Sequence, residues 1–240
     1  MKKTILIISL VLVCGLFLSA DVYIKQNTHS DAVQIMGQST PEKNEVNHMW
    51  IGKNKMAMHG KDGSFIVDLD KKHVLMINHS NKTYIPMTIP IDLDAYFPPQ
   101  LMQMMGDVKV SISPTGNSKT IGTWKCEEYT MEMNMMMFTT KGTIYATTDV
   151  PFDWKEYQQE MYASFAQATM RLSEESVMEF QKIKGFQIQT EMIVNMMGTE
   201  MKTVQIVEEI AKKDAPAGTY DAPSDYTKQD KFSLQDLQKR

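Results

Sequence analysis

From Val22 to Tyr84 this chain is a succession of short apolar stretches cut by tight polar turns, and that rhythm restricts the fold more than any other feature. Val22–Met36 reads as one or two strands, broken at Pro41-Glu42-Lys43-Asn44. Val46–Ile51 and Met56–His59 flank the turn Gly52-Lys53-Asn54-Lys55, and Gly60-Lys61-Asp62-Gly63 turns the chain again. Phe65–Leu69 and His73–Asn78 face each other across Asp70-Lys71-Lys72, and the turn from His79 to Lys82 leads into Thr83–Met87. Runs of about five residues are too short for helices, which need roughly ten or more. Connections this short join only antiparallel neighbours. The expectation is an antiparallel meander.

Pro86, Pro90, Pro98 and Pro99 end the meander. A short helix is expected after Pro98-Pro99, through Leu101, Met102, Met104 and Met105, closed by Gly106. Val108–Ser113 resumes a strand, Pro114-Thr115-Gly116-Asn117 turns it, Ile121–Asn134 is a long strand region with a bulge expected at Gly122, and Thr143–Thr148 follows. The period changes between Phe152 and Phe180. There Trp154, Tyr157, Met161, Phe165, Ala168 and Leu172 recur at three- and four-residue steps, the stripe of a main helix. After Gly185, the residues Phe186, Ile188, Thr190, Met192 and Val194 alternate with polar neighbours, and Met197-Gly198-Thr199-Glu200 turns the chain into Met201–Ile210. The fold class is therefore α+β: a curved antiparallel sheet or incomplete β-barrel packed against one main helix and one short helix. Residues 21–228 form a single β-rich domain in this reading, and 229–240 a loosely ordered, mixed-charge tail.

The first twenty residues have a separate purpose. Lys2 and Lys3 precede an apolar run from Ile5 to Leu18, and Leu18-Ser19-Ala20 precedes a polar start at Asp21. That order of charge, apolar core and small residues is a secretory signal peptide, and the run is short of the about 20 residues of a membrane-spanning helix. Cys14 follows Val11-Leu12-Val13 rather than small residues, so the segment does not read as a lipoprotein leader. The expectation is a periplasmic protein released by cleavage after residue 20. Its remaining 23 basic and 29 acidic side chains give a net charge of −6, without the basic surface that nucleic acid demands. No later stretch is apolar and long enough to span a membrane. Cys126 is then the lone cysteine, excluding an intramolecular disulfide, and a buried, inert thiol is expected.

The order of several short motifs resembles a bacterial exported family of unknown function. These are Trp50-Ile51-Gly52-Lys53-Asn54-Lys55-Met56, Phe65-Ile66-Val67-Asp68 and Asn81-Lys82-Thr83-Tyr84, then Thr115-Gly116 with Lys119-Thr120-Ile121-Gly122, Trp124-Lys125-Cys126 and Tyr129. Ile183-Lys184-Gly185-Phe186 and Ala215-Pro216-Ala217-Gly218-Thr219-Tyr220, with Ala222-Pro223 and Tyr226, complete the series. That family is similar in architecture to the periplasmic lipoprotein carriers and outer-membrane lipoprotein receptors (LolA/LolB-type), incomplete barrels that hold acyl chains in an apolar cavity. The resemblance implies a hydrophobic-ligand or lipoprotein-binding role, with an acyl chain or lipoprotein as partner. It transfers no individual site residue.

Methionine is the compositional anomaly: 22 in 240 residues, most densely in Met131-Glu132-Met133-Asn134-Met135-Met136-Met137. On a strand, Met131, Met133, Met135 and Met137 share a face. Three readings stay open. Methionine fills irregular cores, it lines adaptable apolar pockets, and its thioether binds Cu(I) or is oxidised reversibly. A single strand spaces same-face residues about 6.6–6.8 Å apart, so a metal site needs sulfurs from a second segment. The candidate ligand-binding residues are Trp50, Met56, Met58, Phe65, Val67, Met76, Tyr84, Met131, Met133 and Met135, and the alternative soft-metal set is Met131, Met133 and Met135. No cofactor is expected. The five histidines lack zinc spacing. No phosphate loop, nucleophile elbow or His-Glu-x-x-His motif is present, and adjacent Glu127 and Glu128 face opposite ways on a strand, so no enzyme is expected. An envelope structural or interaction module is the remaining alternative.

Overall fold

The computed structural model describes residues 21–35, 38–100, 108–135, 138–170, 172–196 and 198–233. The proposed leader, Met136, Met137 and the predicted short helix at 101–106 lie outside the described residues, although positions 99–100 are helical. Ahead of them a one-turn helix, α1 (Leu93–Tyr96), starts at Asp92, whose carboxylate accepts from the Asp94 amide.

The described residues build one twelve-stranded sheet from two meanders and a strand that joins them. The first meander runs through β4 (Lys43–Gly52), β5 (Lys55–His59), β6 (Gly63–Asp68), β7 (His73–Asn78) and β8 (Thr83–Thr88). The second runs through β9 (Lys109–Ile121), β10 (Trp124–Met135), β11 (Phe138–Thr147), β12 (Phe186–Met196) and β13 (Thr199–Lys212). The first strand, β1 (Val22–Ser30), lies between β4 and β13 and pairs antiparallel with both over its whole length. A two-strand arm, β2 (Val33–Ile35) and β3 (Gln38–Thr40), stands apart, and β14 (Thr227–Lys228) adds to β8 in parallel. The sheet ends at β9 and β14 and is not closed into a barrel.

Its curvature has local causes. Register shifts occur between Lys25 and Gln26 against β13, between Glu127 and Tyr129 against β9, and between Tyr145 and Ala146 against β12. Each such bulge bends and twists its strand pair. At the first, Glu208 is the extra residue and takes the Lys25 ammonium at 2.7 Å.

Helix α2 covers the inner face as α-helix over Trp154–Glu156, π-helix over Tyr157–Tyr162 and α-helix again over Ala163–Met170. The predicted stripe Tyr157, Met161, Phe165 turns toward the sheet, and Phe165 meets Phe65 edge-on at 4.8 Å. Helix α3 (Glu174–Phe180) follows a break at Ser173, whose hydroxyl accepts from the Ser176 amide. That cap divides the single helical region expected over Phe152–Phe180 into two.

Strand alternation sends Met49, Ile51, Met56, Phe65, Val67, Val74, Ile85 and Met87 inward and Ala57, Ile66, Leu75 and Ile77 outward. The outer set is covered by the chain after β13, which lays Tyr220, Ala222 and Tyr226 against it. Phe232 at its end is buried and stacks on Phe97 at 4.4 Å, so positions 229–233 are anchored, and 234–240 lie outside the described residues.

A chain of polar contacts fastens this strap. Tyr226 OH lies 2.9 Å from His79 Nδ1, His79 Nε2 2.7 Å from Ser64 Oγ, Ser64 Oγ 2.9 Å from His59 Nδ1, and His59 Nε2 3.0 Å from the Thr219 carbonyl. The carbonyl only accepts, so His59 Nε2 carries a proton and Nδ1 of the neutral ring accepts from Ser64. One direction of donation, from Tyr226 to Thr219, then satisfies every member. Burial, with His79 and His48 nearby, holds His59 below its ordinary value of 6.5. The unfolded chain therefore binds the proton first as pH falls. Stability is full above about pH 6.5 and declines below it. Urea midpoints measured between pH 7.5 and pH 5 are expected to fall more steeply for the natural protein than for His59→Asn. Equal slopes would contradict the clasp.

Candidate functional site

The methionines of both meanders meet on the inner face. The two-residue turn Lys53-Asn54, with Asn54 at φ 56°, pairs Gly52 with Lys55. It thereby pairs Ile51 with Met56 and Met49 with Met58, all four facing inward. From the other half, Met131 and Met133 lie two residues apart on β10 and are buried on the same face. Gly142 stands opposite Met131 on β11. A Cβ there would come within 3.1 Å of both the Met131 methyl and the Glu191 carbonyl, so the glycine leaves room for the thioether. Gly185, at φ 111°, lets the chain enter β12 against β11. A Cβ at that position would stand 2.2 Å from the Thr147 carbonyl oxygen, and the close approach places Phe186 and Ile188 beneath the helices.

Between sheet and helices is a cavity of about 240 Å³. This is many times the roughly 10–15 Å³ that one water centre needs, and so far larger than a packing defect. Its walls include Met49, Met56, Met58, Met131, Met133 and Met192 from the sheet, Tyr157, Tyr162 and Phe165 from α2, and Phe180 from α3. The π segment brings Tyr157, Gln158 and Tyr162 onto it, a type of helix irregularity that recurs at functional sites. Gln158 ties the two helices together, donating to the Phe180 carbonyl at 2.6 Å and the Ile183 carbonyl at 3.1 Å.

Among the described residues, no Asp, Glu, Lys, Arg or His lines the cavity. Burial pushes the Tyr162 phenol up to about 12 and that of Tyr157 further in the same direction, so both stay protonated. The polar part of the wall consists of Gln26, Asn47, Gln158, Gln187, Thr190 and Gln205. Gln205 Nε2 donates to Gln26 Oε1 at 2.7 Å, and the Thr190 hydroxyl to Gln187 Oε1 at 3.3 Å.

Of the residues singled out in the sequence, Met56, Met58, Met131 and Met133 line this cavity. Phe65, Val67 and Met76 belong to the adjoining inner core. Met135 lies on β10 opposite Phe138. Trp50 and Tyr84 are on the outer face. Trp50 pairs with Ala57 and packs on Tyr23 at 4.8 Å between ring centres, while Tyr84 pairs with Ile77 beneath the strap. Register explains this placement, because any residue opposite an outward-facing alanine or isoleucine faces outward as well. Met49 follows from the same hairpin parity. Gln26 is betrayed by a polar side chain at the next inward position after Val22 and Ile24. Met192 follows from the alternation along β12, whereas Gln205 and Gln187 depend on which strands become neighbours, which no local pattern shows.

His48 and His59 pair across the same hairpin, but on the face opposite Met49 and Met58. Among the described residues no three His, Cys, Asp or Glu side chains come together as metal ligands. Cys126 is buried, and desolvation raises its thiol to about 11, which leaves it protonated at neutral pH.

No protein-family model matches the chain, and no curated protein does. Among solved structures, it is similar to PNGF-II with 8% identity and a TM-score of 0.40, over 90% of this chain and 32% of that one, so it spans about a third of that protein's length. It is also similar to a DUF1329 family protein from Desulfovibrio piger with 7% identity and a TM-score of 0.31, over 84% of this chain and 89% of that one. Among the described residues no helix is long and apolar enough to cross a membrane.

An open cavity and a filled core respond differently to added volume. Met133→Phe places its larger side chain against free space and is expected to change stability by less than about 1 kcal/mol. Met87→Phe, at a fully buried position away from the cavity, is expected to lose about 1–3 kcal/mol by overpacking. Urea unfolding of the two variants measures the difference. Equal losses would mean the cavity is packed solid in solution.

Proposed function

We propose that this protein is exported to the periplasm and binds a hydrophobic ligand, an acyl chain or the lipid part of a lipoprotein, in the inner-face cavity without transforming it. The observation that carries the reading is the cavity itself: about 240 Å³, lined by thioether and aromatic side chains beside uncharged polar ones, with no charged side chain among the described residues of its lining. Burying an apolar chain is favourable by about 25 cal/mol per Å² removed from water. Flexible methionine side chains adapt their walls to ligands of differing shape. The sequence resemblance to an exported family whose architecture is similar to that of the lipoprotein carriers, and the signal-like first twenty residues, support the same assignment. In this reading the paired carboxamides and protonated phenols of the described lining hold the ligand by hydrogen bonds.

One observation favours a second reading. Met49, Met56 and Met58 come from one meander and Met131, Met133 and Met192 from the other, so the cavity is lined by thioethers of separate segments, and a soft-metal site needs sulfurs from more than one. In that reading the cavity takes Cu(I).

Protein purified from the periplasmic fraction without detergent is expected, in native mass spectrometry, to carry an apolar adduct that organic extraction releases. A bare protein mass from the same fraction, with Cu(I) retained against a competing chelator, would contradict the ligand reading in favour of the metal one.

A further inference from the structure

Resting on the binding reading above, we infer that the cavity selects amphiphiles whose polar group is uncharged, an ester, amide or alcohol joined to an apolar chain, and discriminates against free carboxylates. Four of the six polar side chains of the wall lie on neighbouring strands. Asn47 on β4 pairs with Gln26 on β1, Gln26 accepts from Gln205 on β13 at 2.7 Å, and Gln205 pairs with Thr190 on β12. They form a belt across four adjacent strands, beside the methionine wall.

Gln26 is the telling member. It is 4% exposed and occupies an inward position on a strand whose earlier inward residues are Val22 and Ile24. A buried polar side chain at an apolar position is more informative than any exposed one. An ordinary core would place an aliphatic residue here, as it does two residues earlier.

Carboxamides define the chemistry of what they face. Each presents an acceptor oxygen and two donor hydrogens, so the belt matches a carbonyl, an amide or a hydroxyl. It holds no cation. A carboxylate drawn in with its chain would lose its hydration without gaining a counter-charge, and an unpaired buried charge is heavily disfavoured. An ester, amide or alcohol has no such charge to desolvate. The chain itself would lie against Met49, Met56, Met58 and the aromatic side chains of α2.

The test uses full-length mature protein and N-phenyl-1-naphthylamine as fluorescent reporter, displaced at pH 8 by decanamide, 1-decanol or decanoate, all of one chain length. Decanamide and 1-decanol are expected to displace it at concentrations at least tenfold lower than decanoate. Equal or better displacement by decanoate would overturn the inference while leaving the binding reading intact. A reporter that does not bind, or that none of the three displaces, would overturn both. Gln205→Lys supplies the missing cation and is expected to improve decanoate at least tenfold over the natural protein. No improvement in a folded variant would count against the belt as the selecting element, and the comparison in the natural protein decides the inference if the variant does not fold.

Discussion

The pairing of β1 with β4 on one side and β13 on the other is the interaction on which the rest of the structure depends. Either meander alone has an apolar inner face and an open edge. β1 supplies the strand that both edges lack, and its inward residues Val22 and Ile24 enter the same core as Met49, Ile51 and Val207. The contact is long-range, since Ile24 faces Met49 on one side and Ile210 on the other. Asp21, just before β1, accepts from Tyr220 of the strap at 3.0 Å, and its carbonyl accepts from the Lys213 amide at 2.9 Å. The start of β1 and the strap are thus fastened at one place.

From that seam the site follows. Bulges bend the second half of the sheet, the helices lie across the inner face, and two methionine groups far apart in sequence face each other. The polar belt crosses the seam itself, because Gln26 belongs to β1 and its partners to the strands on either side. The strand that unites the halves also carries the residue that gives the cavity its polarity. The outer face of the first meander is instead sealed by the strap, whose tyrosines cover Ala57, Ile66, Leu75 and Ile77.

Much of the fold was legible locally. Tight turns marked every strand of the first meander, since short connections admit only antiparallel neighbours. Alternation marked β12, and the three- and four-residue spacing marked α2. The division of the helical region at Ser173 was less visible, because one capping hydroxyl decides it. Four of the ten candidate residues line the cavity, and all four are methionines. Trp50 and Tyr84 stand on the other face because side-chain direction is set by cross-strand register, which composition does not carry. The order of the twelve strands, with β1 inserted between elements from both halves, rests on long-range pairing and has no local signature. Gln26, Gln205 and Thr190 become a site only through that order.

Methionine methyl groups provide the most direct measurement of the central claim, that the inner face holds an open, ligand-accessible cavity. In protein labelled with ¹³C at the methionine methyls, titration with decanamide is expected to shift the signals of Met49, Met56, Met58, Met131, Met133 and Met192. Met87, buried in the same core but away from the cavity, is expected to keep its position. Saturating shifts confined to those six would match the account. Unchanged signals at all six, or shifts only at methionines outside the cavity, would contradict it.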